Sequence, residues 1–154
     1  MSKLQTPFRY DFVGSFLRPQ ALKDAKTAYQ NGKISKEELD KITDEEITKV
    51  VAKQKELGFH VITDGEFRRN FWHLDFMWGL DGVAHENTGN GVKFDAELAV
   101  LDDTYLVGKI KAKAHPFVEY FKFLKQFEDE NTVAKYTIPA PAQTFQQMIV
   151  PANF

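Results

Sequence analysis

The sequence predicts an α/β fold with parallel strands, and three observations carry that expectation. A capped amphipathic stretch, Thr43 to Leu57, passes through Gly58 straight into the apolar run Phe59-His60-Val61-Ile62-Thr63. Helix, glycine turn and buried strand in such close succession form the αβ unit of a parallel sheet. That strand ends in a burst of charge, Asp64-Gly65-Glu66-Phe67-Arg68-Arg69, at the carboxyl end of a strand, where α/β proteins keep their chemistry. Strand-like and helix-like stretches then alternate, giving about three strand–helix units with an excursion inserted after the second strand.

The opening "PFRYDFVGSFLRP" sets aromatic and β-branched residues before Gly14-Ser15 and Arg18-Pro19. It reads as a short strand, a tight turn and the start of a helix, because proline suits a first helical turn. A helix over Gln20–Tyr29 follows, stopped by Asn31-Gly32. Ser35-Lys36-Glu37-Glu38 and Thr43-Asp44-Glu45-Glu46 both match the capping-box pattern, and the second is the stronger match. Ile47, Val50, Val51, Gln54 and Leu57 share one helical face, and Gly58 is the natural residue to end it.

From Asn70 to Asp103 the pattern turns aromatic and then rich in Gly, Asn and Asp. A long loop or hairpin excursion is expected there, with the form of residues 79–103 left open. "TYLVGKIKAKA" alternates as an extended strand, His115-Pro116 opens a helix over Phe117–Phe127, "VAKYTIPAPA" reads as another strand, and a helix begins within Thr144–Ile149.

At 154 residues, 43% hydrophobic and 27% charged, the chain has the composition of one globular domain. A closed eight-stranded barrel typically needs about 250 residues. The alternatives are a smaller open α/β sheet or part of a barrel. A net charge of −2 gives no pull toward nucleic acid or an anionic membrane. The opening residues lack an apolar run suited to a signal peptide or membrane span, which makes a cytoplasmic location the expectation. The absence of cysteine excludes disulfides, a thiol nucleophile and thiolate metal ligands.

Two motifs have site chemistry. In the first, Glu66 suits an ammonium group, while Arg68 and Arg69 suit a carboxylate through the guanidinium fork; a charge-compensated exposed turn is the competing reading. In the second, Gly14 and Ser15, with Arg18 one turn on, offer N–H groups and a hydroxyl to an anion, against a plain helix cap by Ser15. The cluster Phe71-Trp72-His73-Leu74-Asp75-Phe76-Met77-Trp78 would either stack a planar ligand or serve as core. His60, His73, His85 and His115 show no paired metal spacing, and there is no Walker loop or dinucleotide fingerprint.

"VGSFLRP", "VITDGEFRRNFWHLDF" and "KYTIPAPA", in this order, resemble the amino-terminal half of the catalytic barrel of cobalamin-independent methionine synthases, above all the short single-barrel bacterial members. The resemblance implies a partial (β/α)8 TIM barrel, residues 1–154 being one domain and the first part of it. It implies a methyltransferase that moves a methyl group from a 5-methyltetrahydrofolate-type donor to the thiol of homocysteine, in methionine biosynthesis. It places Gly14 and Ser15 at the amino-acid part of homocysteine and Glu66 at its ammonium. Arg18 and Asp64 join them as substrate-binding candidates, Asp64 in a supporting role because the larger enzymes carry histidine there. Trp72 and Trp78 suit pocket walls by their chemistry.

The family's zinc ligands include cysteines in the later half of the barrel, among them an H-x-C motif. Without cysteine, this chain is expected to hold the homocysteine-recognition half and no zinc site, as a truncated chain inactive alone. The alternative is a non-catalytic half-barrel that binds an amino-acid-like ligand. In either case unpaired sheet edges favour a homo-oligomer or swapped dimer.

Overall fold

The computed structural model describes residues 12–89, 91–94, 97–100, 102–111 and 114–150. In chain order the elements are α1 (Gln20–Gln30), α2 (Lys36–Glu56), β1 (Val61–Ile62), α3 (Leu74–Trp78), β2 (Asp81–Glu86), β3 (Gly91–Phe94), β4 (Glu97–Val100), β5 (Asp103–Lys111), α4 (Pro116–Lys125), β6 (Val133–Ala134), α5 (Pro141–Gln147) and β7 (Met148–Ile149). They fall into two compact units, Met1–Asn70 with Glu119–Thr137, and Phe71–Val118 with Ile138–Phe154.

The first unit is the αβ unit the sequence predicts. The cap of α2 is Ser35, eight residues before the stronger match at Thr43. Ser35 accepts the Glu38 N–H at 3.2 Å and Glu38 accepts the Ser35 N–H at 2.9 Å, so the capping box closes there. Thr43 instead lies inside the helix, its buried hydroxyl donating back to the Leu39 carbonyl at 2.7 Å. Ile47, Val51 and Gln54 face inward, but Leu57, at the C-cap, is 62% exposed, so the predicted apolar face ends one turn early. Gly58, at φ +81°, donates to the Lys55 carbonyl and turns the chain into β1.

β1 pairs in parallel with β6, Val61 opposite Val133 and Ile62 opposite Ala134. Leu22, Ile47, Val51, Ile62, Phe67 and Leu124 form the buried core. Both strands are shorter than expected. Thr63 leaves the ladder because the Gln54 side chain takes both its N–H, at 2.9 Å, and its carbonyl, at 2.8 Å. Of the predicted opening strand, residues up to Asp11 lie outside the described residues, and Phe12 and Val13 are not in a strand.

In the second unit the expected excursion is mostly sheet. β2 pairs antiparallel with β5, β7 joins β5 in parallel, and β3–β4 form a hairpin. The strand read in "TYLVGKIKAKA" is β5. A helix read from Thr144 begins earlier, at Pro141, a proline in the first turn, and yields at Met148, which pairs opposite Thr104 as β7. His115 sits before α4 with Nδ1 accepting the Phe117 N–H at 3.1 Å and Nε2 against the Phe76 carbonyl at 2.9 Å. Among the described residues no helix is long and apolar enough to cross a membrane.

Candidate functional site

The charged cluster after β1 is an ordered, buried turn. Gly65 has φ +64° and Glu66 φ +58°, the latter the left-handed conformation that a side chain normally avoids. Local bonds hold it: Asp64 Oδ1 accepts the Glu66 N–H at 2.9 Å, and Thr63 Oγ1 accepts the Gly65 N–H at 3.3 Å. A Cβ on Gly65 would lie 3.0 Å from the rings of Phe16 and Phe67, so glycine is required by space as well as by φ. Strain of this kind persists only where the surroundings over-determine it, and it concentrates at functional sites.

Gly14–Ser15 is brought to this turn through the next residue, since the Phe16 N–H donates to the Gly65 carbonyl at 3.1 Å. Gly14, at φ +90°, and Ser15 are exposed. α1 starts at Gln20 behind Pro19, leaving Ser15 outside the helix and without a capping role. Arg18 reaches the same place but addresses backbone: its Nη2 donates to the Arg69 carbonyl at 2.9 Å and the Glu66 carbonyl at 3.3 Å. Lys26 reinforces it, donating to the Arg69 carbonyl at 2.7 Å. Thus both cations from the α1 side fasten the turn.

Glu66 is buried, at 6% exposure. Its Oε1 accepts from Thr137 Oγ1 at 2.9 Å and from Arg69 Nη1 at 3.4 Å. Arg69 is buried, donates through Nη2 to the Thr137 carbonyl, and lies over the Tyr136 ring at 4.9 Å. Arg68 points away to pair with Asp44, its guanidinium 4.8 Å from the Tyr120 ring centre and 5.0 Å from that of Phe123. The two arginines read as a carboxylate fork are therefore both engaged within the protein.

Asp64 is buried too. Desolvation raises its carboxyl above the ordinary value of 3.8, opposed by the Glu66 N–H, Arg69, the Tyr136 hydroxyl and Arg68. Tyr136 is pushed upward by burial and then by the Asp64 charge, which keeps it a neutral phenol. What results is a buried acid, Glu66, oriented by a hydroxyl and an arginine, beside an exposed Gly-Ser backbone. Such an arrangement suits a bound cation attached to a small polar molecule.

Sequence reasoning missed Gln54, Tyr136 and Thr137. Gln54 did leave a signal, as a polar residue on an otherwise apolar helix face. Thr137 lay within a quoted motif, but its meeting with Glu66 depends on the β1–β6 pairing. Trp72 and Trp78 belong to the second unit. Trp72 is 53% exposed beside the His73 ring, while Trp78 donates to Thr104 at 3.0 Å and stacks on His85 at 3.9 Å.

The residues present do not suit the zinc ion implied by the resemblance. The 154 residues include no cysteine, and among the described residues no three His, Asp or Glu side chains are grouped to hold a metal.

Residues 9–114 match the profile of the cobalamin-independent synthase catalytic domain. The uncharacterized protein YxjH of Bacillus subtilis (strain 168) is 40% identical over 141 residues, which span 92% of this chain and 37% of that protein. A solved structure from Listeria monocytogenes, provisionally designated a vitamin-B12-independent methionine synthase, superimposes with a TM-score of 0.79 at 42% identity, covering 97% of this chain and 41% of that one. The 5-methyltetrahydropteroyltriglutamate–homocysteine methyltransferase of Bradyrhizobium diazoefficiens is 35% identical over 77 residues, half of this chain and 10% of that enzyme. The chain spans well under half the length of each relative. On these matches, and on the α/β fold they share, the chain belongs to the family of the cobalamin-independent synthase catalytic domain.

Proposed function

We propose that the turn after β1 is the amino-acid-recognition part of a methyltransferase that passes a methyl group from a folate-type donor to the homocysteine thiol. Glu66 accepts the ligand ammonium, Gly14 and Ser15 meet the amino-acid part through backbone and hydroxyl, and Asp64 and Arg18 hold the turn in shape. In this reading the residues form the first part of a (β/α)8 barrel in a single domain, and the thiolate metal site is supplied by residues other than these. The observation that carries the reading is Glu66, a buried carboxylate held at φ +58° at the end of a parallel strand. A bare charged turn has no reason to bear that strain.

Calorimetric titration of the chain with reduced homocysteine tests it. Binding is expected for the parent chain, with a loss of at least about tenfold for Glu66→Gln, since a charged hydrogen-bond partner is removed. Equal affinity in the two would overturn the assignment.

A second reading, self-association through an open sheet edge, has its own observation. Val13 is 89% and Leu17 95% exposed in the segment leading to α1, and among the described residues β1 and β6 pair only with each other.

A further inference from the structure

We infer that Thr137 gives this site its preference for a ligand that carries an ammonium group. The inference rests on the reading of Glu66 above and adds a residue to it. Thr137 follows β6, and the register of β6 against β1 brings it to Glu66: the Lys135 N–H donates to the Ile62 carbonyl at 2.9 Å, two residues before Thr137.

Two polar groups of Thr137, its hydroxyl and its carbonyl, face this site. Its hydroxyl donates to Glu66 Oε1 at 2.9 Å, and its carbonyl accepts from Arg69 Nη2. The second contact matters because Arg69 competes with any ligand cation for Glu66. A buried arginine three residues away would ordinarily close on the carboxylate as a two-pronged pair, at about 2.7–2.9 Å. Here one prong is diverted to Thr137, and the remaining Glu66–Arg69 contact is 3.4 Å, on Oε1 alone.

Among the described residues none donates to Glu66 Oε2. The hydroxyl on Oε1 fixes the carboxylate plane and leaves Oε2 to accept a ligand N–H. Without the hydroxyl, the carboxylate is able to swing into the arginine fork, and its charge is then satisfied within the protein. The site would still admit the rest of the ligand but would no longer reward an ammonium.

The test compares homocysteine with the same molecule bearing hydrogen in place of its amino group, by calorimetry on the full chain. The parent chain should prefer homocysteine. Thr137→Val should reduce that preference about tenfold, the worth of one hydrogen bond to a charged group, mostly by weakening homocysteine. Thr137→Ser should retain the preference, and thermal melts should show both variants folded. An unchanged preference in Thr137→Val would overturn the inference while leaving the Glu66 reading intact. Equal weakening of both ligands would make Thr137 a structural residue and also overturn it. If the parent chain binds neither ligand, the Glu66 reading fails and this inference falls with it.

Discussion

Asp64 and Glu66 stand two residues apart, are both buried, and meet different fates. Glu66 has a hydroxyl and a guanidinium on one oxygen. Asp64 spends one oxygen on the backbone of the turn, and burial dominates its electrostatics. Because its folded value is raised above 3.8, the unfolded chain releases this proton at lower pH than the folded chain does. The stability it contributes is fully present below about 3.8 and is lost as pH rises through the folded value. Asp64→Asn keeps an oxygen for the Glu66 N–H and removes the titration. The variant should therefore gain on the parent as pH rises from 4 toward 7, measured by urea denaturation at a series of pH values. A stability difference that is constant with pH would show that burial does not govern Asp64.

At the scale of elements, α2 determines where β1 ends. Gln54 has a core position on the helix and satisfies both backbone groups of Thr63, the residue at which the site turn begins. Gln54→Leu fills similar volume but strands a buried N–H and a buried carbonyl, at about 1–3 kcal/mol each when unpaired. Urea denaturation should show a loss of about 2–6 kcal/mol on that ground, and amide exchange at Thr63 should accelerate. A loss under about 0.5 kcal/mol, the size of an ordinary surface change, would mean that water replaces the side chain.

The same elements show what was legible beforehand. The α2–Gly58–β1 succession, α1 and β5 follow from local periodicity and stop signals, which a sequence displays directly. Ser35 and Thr43 each begin a capping-box pattern, and the stronger-looking one at Thr43 is not the cap, because only the finished helix decides between them. The arginines misled for a related reason. Whether Arg68 and Arg69 face a ligand or a neighbour depends on Asp44, Thr137 and Tyr136, which lie up to 68 positions away in sequence. Glu66 itself was legible as a site candidate, whereas its left-handed backbone and its partner Thr137 were not.

At the scale of the whole chain, family membership and share of length pull in different directions. The chain matches relatives across nearly all of its own residues but under half of theirs, so recognition and catalysis need not lie in the same stretch. The exposed Val13 and Leu17 and the two-stranded β1–β6 sheet predict a concentration-dependent mass in solution by light scattering. A monomer at every concentration would remove the self-association reading. The central claim is that the turn at Asp64–Glu66, with Gly14–Ser15 beside it, receives an amino acid. Mapping amide chemical shifts during titration with reduced homocysteine tests this most directly. Saturable shifts are expected, concentrated at residues 14–16, 63–66 and 137 and absent in Glu66→Gln. Shifts confined to other residues, or none at millimolar ligand, would contradict it.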